Sequence, residues 1–205
     1  MTGTKMLAIA IGLAAWAVHS TAWAGDVTGT VSGVADPENV VVYIEHADGT
    51  FPPPAGGAVM DQRNQQFVPH VLPVLSGTVV HFPNSDTVRH NVFSPSKAKK
   101  FNLGIYPQGT TKDQVMDIPG AAVVSLLCAI HAQLAAFVVV LQNPYFVMPA
   151  ADGSFAIHNV PSGSYRIVAW HEKQGDEELP KQAITLGANA TVSLAFRTDH
   201  GRSGQ

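Results

Sequence analysis

Apolar and polar residues alternate over most of this chain, in short runs broken by Pro, Gly and Asn-Asp turns. Period-two alternation of this kind marks half-buried strands. Val27, Thr28 and Val31 read as one strand closed by Gly33, and Val40 to Glu45 as a second after a turn at Asp36-Pro37. Strand signals resume at Val59-Met60. Phe67 to Leu75 is extended, and Pro69 and Pro73 assign it to a sheet edge or a bulge. In Thr78–Phe82, Val80 and Phe82 share a face while His81 points the other way with Val79. His90–Ser94 is a short strand, residues 95–112 read as a long irregular connection, and Val115–Ile118 is extended again. After Asn143-Pro144 come Tyr145–Val147, Ser154–His158, Tyr165–Trp170, Ala183–Leu186 and Val192–Phe196, with a polar solvent loop at 171–180. No stretch beyond the first two dozen residues has a helical period. The fold class expected is all-β.

The most apolar segment is 120–141. There, two Val-rich runs flank a short loop that opens with Cys128 and His131. Cys128 is the single cysteine of the 205 residues, so it has no partner for a disulfide within the chain. A thiolate and an imidazole three residues apart, at the turn between two strands, can hold one metal ion together. Copper electron-transfer sites use two imidazoles and one thiolate with a weak axial donor. His90, which opens a strand after the turn Asn84-Ser85-Asp86, is the best candidate for the third donor.

The amino end changes the picture of location. Lys5 precedes the apolar run Met6–Val18, and Ala22-Trp23-Ala24 fits a cleavage site, so residues 1–24 read as a secretory signal peptide. That run is shorter than the ~20 residues a helix needs to span a bilayer, and no later run approaches this length. The expected location is the periplasm, with no membrane span after cleavage. A formal charge of −3 gives no reason to expect nucleic acid or a polybasic membrane anchor. Neither a Cys-x-x-Cys-His haem motif, a His-Glu-x-x-His helix nor a phosphate-cradling glycine loop is present.

Beyond chemistry, the motifs carry a resemblance. Phe67-Val68-Pro69-His70-Val71-Leu72-Pro73-Val74, Gly77-Thr78, Phe82-Pro83-Asn84-Ser85-Asp86, Arg89-His90-Asn91-Val92-Phe93-Ser94 and Cys128-x-x-His131 together resemble cupredoxins of the methylamine utilisation protein type. The resemblance implies a Greek-key cupredoxin β-sandwich over residues 58–142, with His90, Cys128 and His131 as ligands of one copper ion. It also exposes a departure. The axial Met expected three residues after the loop histidine is Leu134, which cannot donate. The site is then three-coordinate, or Gln133 or a backbone carbonyl near Arg89 takes the axial place. Loss of a thioether donor should raise the reduction potential.

Residues 143–197 hold too few strands for a comfortable sandwich of their own. Their Ala151-Asp152-Gly153-Ser154-Phe155 and Val160–Arg166 motifs are similar to carboxypeptidase-regulatory-like, or transthyretin-like, sandwiches. The expected organisation is a discontinuous sandwich of 25–57 plus 143–197 with the cupredoxin inserted, and a disordered tail at 198–205. The rival arrangement gives residues 27–45 to the cupredoxin, and periodicity does not choose between them. Among other residues, His70 is weighed as a partner orienting a copper ligand, His81 as a surface residue, and Asp86 with Arg89 as a turn-closing pair. His46, His158, His171 and His200 receive no role. Lys97, Lys99 and Lys100 could steer an acidic redox partner, cytochrome or oxidoreductase. The function expected is one-electron transfer without enzyme activity. The alternative is a copper-binding or structural module of a periplasmic redox system.

Overall fold

The computed structural model describes residues 24–174, 181–187 and 192–197, the last stretch as backbone alone. The export leader and the tail were expected at 1–24 and 198–205, so all but Ala24 of these lie outside the described residues. The chain is all-β. Strands β1 (Ala24–Ser32) and β2 (Val41–Ile44) come first, joined through a 3-10 turn at Pro37–Asn39. Ten strands follow: β3 (Ala58–Val59), β4 (Asp61–Arg63), β5 (Gln66–Val68), β6 (Val71–Leu75), β7 (Val79–Pro83), β8 (His90–Ser94), β9 (Phe101–Tyr106), β10 (Thr111–Val115), β11 (Ala122–Leu127) and β12 (Ala135–Leu141). The chain closes with β13 (Phe146–Val147), β14 (Ser154–Pro161), β15 (Gly163–Trp170), β16 (Lys181–Leu186) and β17 (Val192–Arg197).

Pairing places the first strands with the last. β1 lies between β14 and β17, and β2 lies between β13 and β15, with β16 beyond. The strands of 58–141 pair among themselves, in the orders β6-β12-β11-β8-β9 and β10-β7-β3, with a small β4-β5 hairpin. Gly57 marks the entry to this inner set. It has φ +66°, and a Cβ there would stand 2.5 Å from the Val79 carbonyl oxygen.

Three apolar layers separate four sheets. Val27, Val31, Phe155 and Val160 of the β14-β1-β17 sheet pack on Val42, Ile44, Ile167, Ala169 and Leu186 of the next sheet. The opposite face of that second sheet, Val41, Tyr43, Val168 and Trp170, packs on Val71, Val139 and Leu141 of the five-stranded sheet. The far face of the five-stranded sheet, with Val92, Val124, Leu126, Val138 and Val140, closes the third layer against Val80 and Phe82 of β7. Strands β2, β12 and β15 thus have both faces covered where they cross the middle layer. This is why they read as unbroken apolar runs rather than as alternation.

Several expectations about local structure are corrected. The connection at 95–112 contains β9 and the start of β10. Thr111-Lys112-Asp113-Gln114-Val115 is mostly exposed on an edge strand, so it carries no hydrophobic pattern to find. Val115–Ile118 is not a strand, because β10 ends at Val115. The extended segment 67–75 divides at a cis Val68–Pro69 bond into β5 and β6. Pro73 sits in β6, an edge of the five-stranded sheet, as its missing N–H requires. The solvent loop expected at 171–180 begins with a buried residue, His171, and a 3-10 turn at Glu172–Gln174.

Candidate metal centre

The β11–β12 connection, residues 128–134, lies beside the start of β8. It brings the three expected donors together: ligand atoms of His90, Cys128 and His131 all lie within 4.8 Å of one another. The Nδ1 atoms of His90 and His131 are 3.1 Å apart, with the rings edge to face. His90 is fully buried and Cys128 is 6% exposed, while His131 is half-buried at the rim.

His90 and Cys128 are each oriented by a second contact. Asp86 Oδ2 is 3.0 Å from His90 Nε2. An ionised carboxylate only accepts, so Nε2 carries the proton and the Nδ1 lone pair faces the cluster. This hydrogen bond, with N–H donors from Gln65 and Thr87, holds Asp86 below the usual carboxylate range against the opposing effect of burial. Asp86 was expected to close a turn with Arg89; its carboxylate instead braces a donor. The Asn91 backbone N–H points at Cys128 Sγ at 3.5 Å and fixes the position of the sulfur. The Asn91 side chain accepts from the Ala129 N–H at 3.3 Å and donates to Asn102 Oδ1 and the Gly104 carbonyl. Asn91 therefore ties the Cys128 loop to β9.

The β4–β5 turn buttresses the same end. Asn64 and Gln65 both have positive φ, the conformation of a two-residue hairpin turn whose twist suits the flanking strands. From it, the Gln65 N–H donates to Asp86 Oδ2 at 2.7 Å, and Gln65 Oε1 accepts from Gln133 Nε2 at 3.0 Å. Beneath, buried Asn84 donates to the carbonyls of Val88 and Tyr106 and shapes the turn before His90. Tyr106, whose phenol is raised by burial, donates to the Phe82 carbonyl and accepts from Gln62. Asp86, Asn91 and Gln65 had no assigned part in the site. The available signal was a short polar cluster, Asn84 to Asn91, that interrupts two apolar strands.

Leu134 is 1% exposed and shares the core layer with Cys128. Gln133, the alternative axial donor, is exposed and turned toward Gln65. His70 does not orient a copper ligand. Its Nε2 is 3.0 Å from Glu172 Oε2, at the junction with the other sheets. His81 is half-exposed and paired with Asp113. Lys97, Lys99 and Lys100 follow Ser94, the end of β8 opposite His90, and Lys99 is held by Asp117.

Two imidazoles and one cysteine sulfur, with ligand atoms within 4.8 Å of one another, form the kind of donor set that suits copper. No protein-family profile matches the chain, and no curated protein matches it. Solved structures share part of it. A copper-containing nitrite reductase from Thermus scotoductus SA-01 matches at 18% identity and TM-score 0.39, over 42% of this chain and 23% of that one. A purple cupredoxin from Nitrosopumilus maritimus matches at 23% identity and TM-score 0.36, over 40% of this chain and 98% of its own. Amicyanin from Paracoccus versutus matches at 16% identity and TM-score 0.37, over 43% and 91%. The chain spans less than a quarter of the nitrite reductase, and these matches each cover less than half of this chain.

Proposed function

We propose that this protein is a copper-binding, cupredoxin-like carrier of single electrons, exported to the periplasm and related in role to methylamine utilisation systems. One observation carries the reading: ligand atoms of His90, Cys128 and His131 lie within 4.8 Å of one another, with Nε2 of His90 already engaged by Asp86. Bound copper would supply a Cu(I)/Cu(II) couple tuned by the donors and their surroundings. The protein's part is to keep the donors fixed. Asp86 fixes the ring of His90, Asn91 fixes the loop of Cys128, and the hairpin tip at Gln65 supports both. Donors that are held before and after transfer need little rearrangement, which favours carrying electrons over catalysis on a substrate.

Half-buried His131 is the route to the surface. Beside it in the loop, Ile130 is 44% exposed, and Val88 in the turn before His90 is 38% exposed. An apolar rim of this kind suits brief contact with a cytochrome or oxidoreductase. The lysines at 97–100 stand at the other end of β8 and are not the contact we infer. A second reading, a copper-binding assembly module, draws on the apolar layer that joins the copper-bearing sheet to the outer sheets.

Titration of the purified protein with Cu(II) tests both. A carrier gives an intense visible thiolate-to-copper band at one equivalent and reversible voltammetry. A band without reversible voltammetry favours the assembly module, and no band at all removes copper from both readings.

A further inference from the structure

Three more donors converge outside the copper centre. Asp36, His171 and Glu172 place ligand atoms within 4.8 Å of one another. Asp36 precedes the 3-10 turn at Pro37–Asn39, and His171-Glu172 follow β15 directly. His171 is 2% exposed, yet neither ring nitrogen has a hydrogen-bond partner among the described residues. Its Nε2 is 3.4 Å from Asp36 Oδ1, a contact that does not meet hydrogen-bond geometry. Buried polar atoms are seldom left in this condition unless something binds them. Two donors on one tetrahedral cation, each about 2.0–2.1 Å from it, stand roughly 3.4 Å apart. That is the His171–Asp36 spacing.

We infer that His171, Asp36 and Glu172 form a second metal site, separate from the thiolate centre, for a divalent first-row cation of the zinc type. One imidazole and two carboxylates with no sulfur suit such an ion better than Cu(I). His70 reaches across from the β5–β6 connection to Glu172 Oε2 and orients that carboxylate, as outer partners of metal ligands do. Lys173 Nζ lies 3.2 Å from Asp36 Oδ1 and balances its charge. Lys173 is largely exposed, so it can swing to solvent when a cation takes its place. The site lies at the seam. Two donor segments belong to the outer sheets, and the orienting histidine belongs to the copper-bearing part. A bound ion would therefore fasten the two parts together.

Cobalt(II) binding to the full mature chain tests this apart from the copper reading. Two equivalents should bind, of which one develops the intense near-ultraviolet sulfur-to-cobalt band and one does not. Asp36→Asn, Glu172→Gln and His171→Ala should each weaken the silent equivalent at least tenfold and leave the sulfur band intact. The carboxylate variants keep the test decisive should His171→Ala fail to fold. A protein that loses the sulfur band but keeps the silent equivalent refutes the copper reading alone. Binding of the sulfur equivalent only, or a silent equivalent that survives all three changes and so belongs to exposed pairs such as His81–Asp113, overturns the second site.

Discussion

The two donor clusters are built on opposite plans. At the thiolate centre, His90 opens β8 while Cys128 and His131 come from the β11–β12 connection of the same sheet, and the outward nitrogen of the buried histidine already has its carboxylate. At the seam, the donors come from loops at the ends of different strands, and the buried histidine has no bonded partner among the described residues. The first cluster is rigid through its own hydrogen bonds. The second is complete only when a cation joins it. On the proposed reading, one site is held ready whatever its ion's charge state, while the other depends on its ion.

The sharpest way to separate the clusters is Cys128→Ser. It should abolish the visible copper band completely and leave metal binding at the seam unchanged, as read by absorption and by calorimetric stoichiometry. Next in size is Asn91→Ala, which strands the Ala129 N–H and the Gly104 carbonyl. Losing these part-buried hydrogen bonds, at about 1 kcal/mol each, should cost about 2 kcal/mol in denaturant unfolding and broaden the copper band. Leu134→Met conserves volume, so it should cost less than about 1.5 kcal/mol. It should also lower the reduction potential; an unchanged potential in voltammetry would place residue 134 away from the axial direction. His70→Ala removes a partly exposed link across the seam and should cost no more than about 1 kcal/mol, while weakening the second site several-fold by titration.

The smallest effect belongs to a pair remote from both clusters. Asp26 is held below its usual 3.8 by the His158 ring and the Asn159 N–H. A lowered carboxylate pKa gives stability that is present above pH 3.8 and disappears as pH falls through the folded value. The melting temperature of Asp26→Asn should therefore lie slightly below that of the parent at pH 6 and merge with it near the acid limit. A gap that persists in acid would assign the effect to something other than this ion pair.

How much of this was legible depended on which interaction fixed each part. Cys128 and His131 sit in one loop between two apolar runs, so sequence alone paired them. His90 required only the turn before it. Asp86 meets His90 across the turn that precedes it, and Gln65 reaches Asp86 from a hairpin whose docking no local pattern reveals. β10 escaped notice because an exposed edge strand needs no apolar face. His171 escaped because it follows the apolar run Ile167–Trp170 and opens a charged stretch, which made a buried histidine look like the first residue of a solvent loop. β1 and β2 pair with the closing strands β14 and β15 through hydrogen bonds far apart in sequence, which periodicity does not reveal. The layering itself left a trace, since the unbroken runs of β2, β12 and β15 are what strands look like when both faces are covered.

Trp170 sits in that shared middle layer, 8% exposed and edge-on to Phe137 across the junction. It therefore does not report on the outer sheets alone. Its emission should stay blue while the two halves remain seated and shift red as soon as they part, even if each keeps its own strands. In a chain without residues 1–24, which carry Trp16 and Trp23, this indole serves as a built-in gauge of separation that needs no attached label.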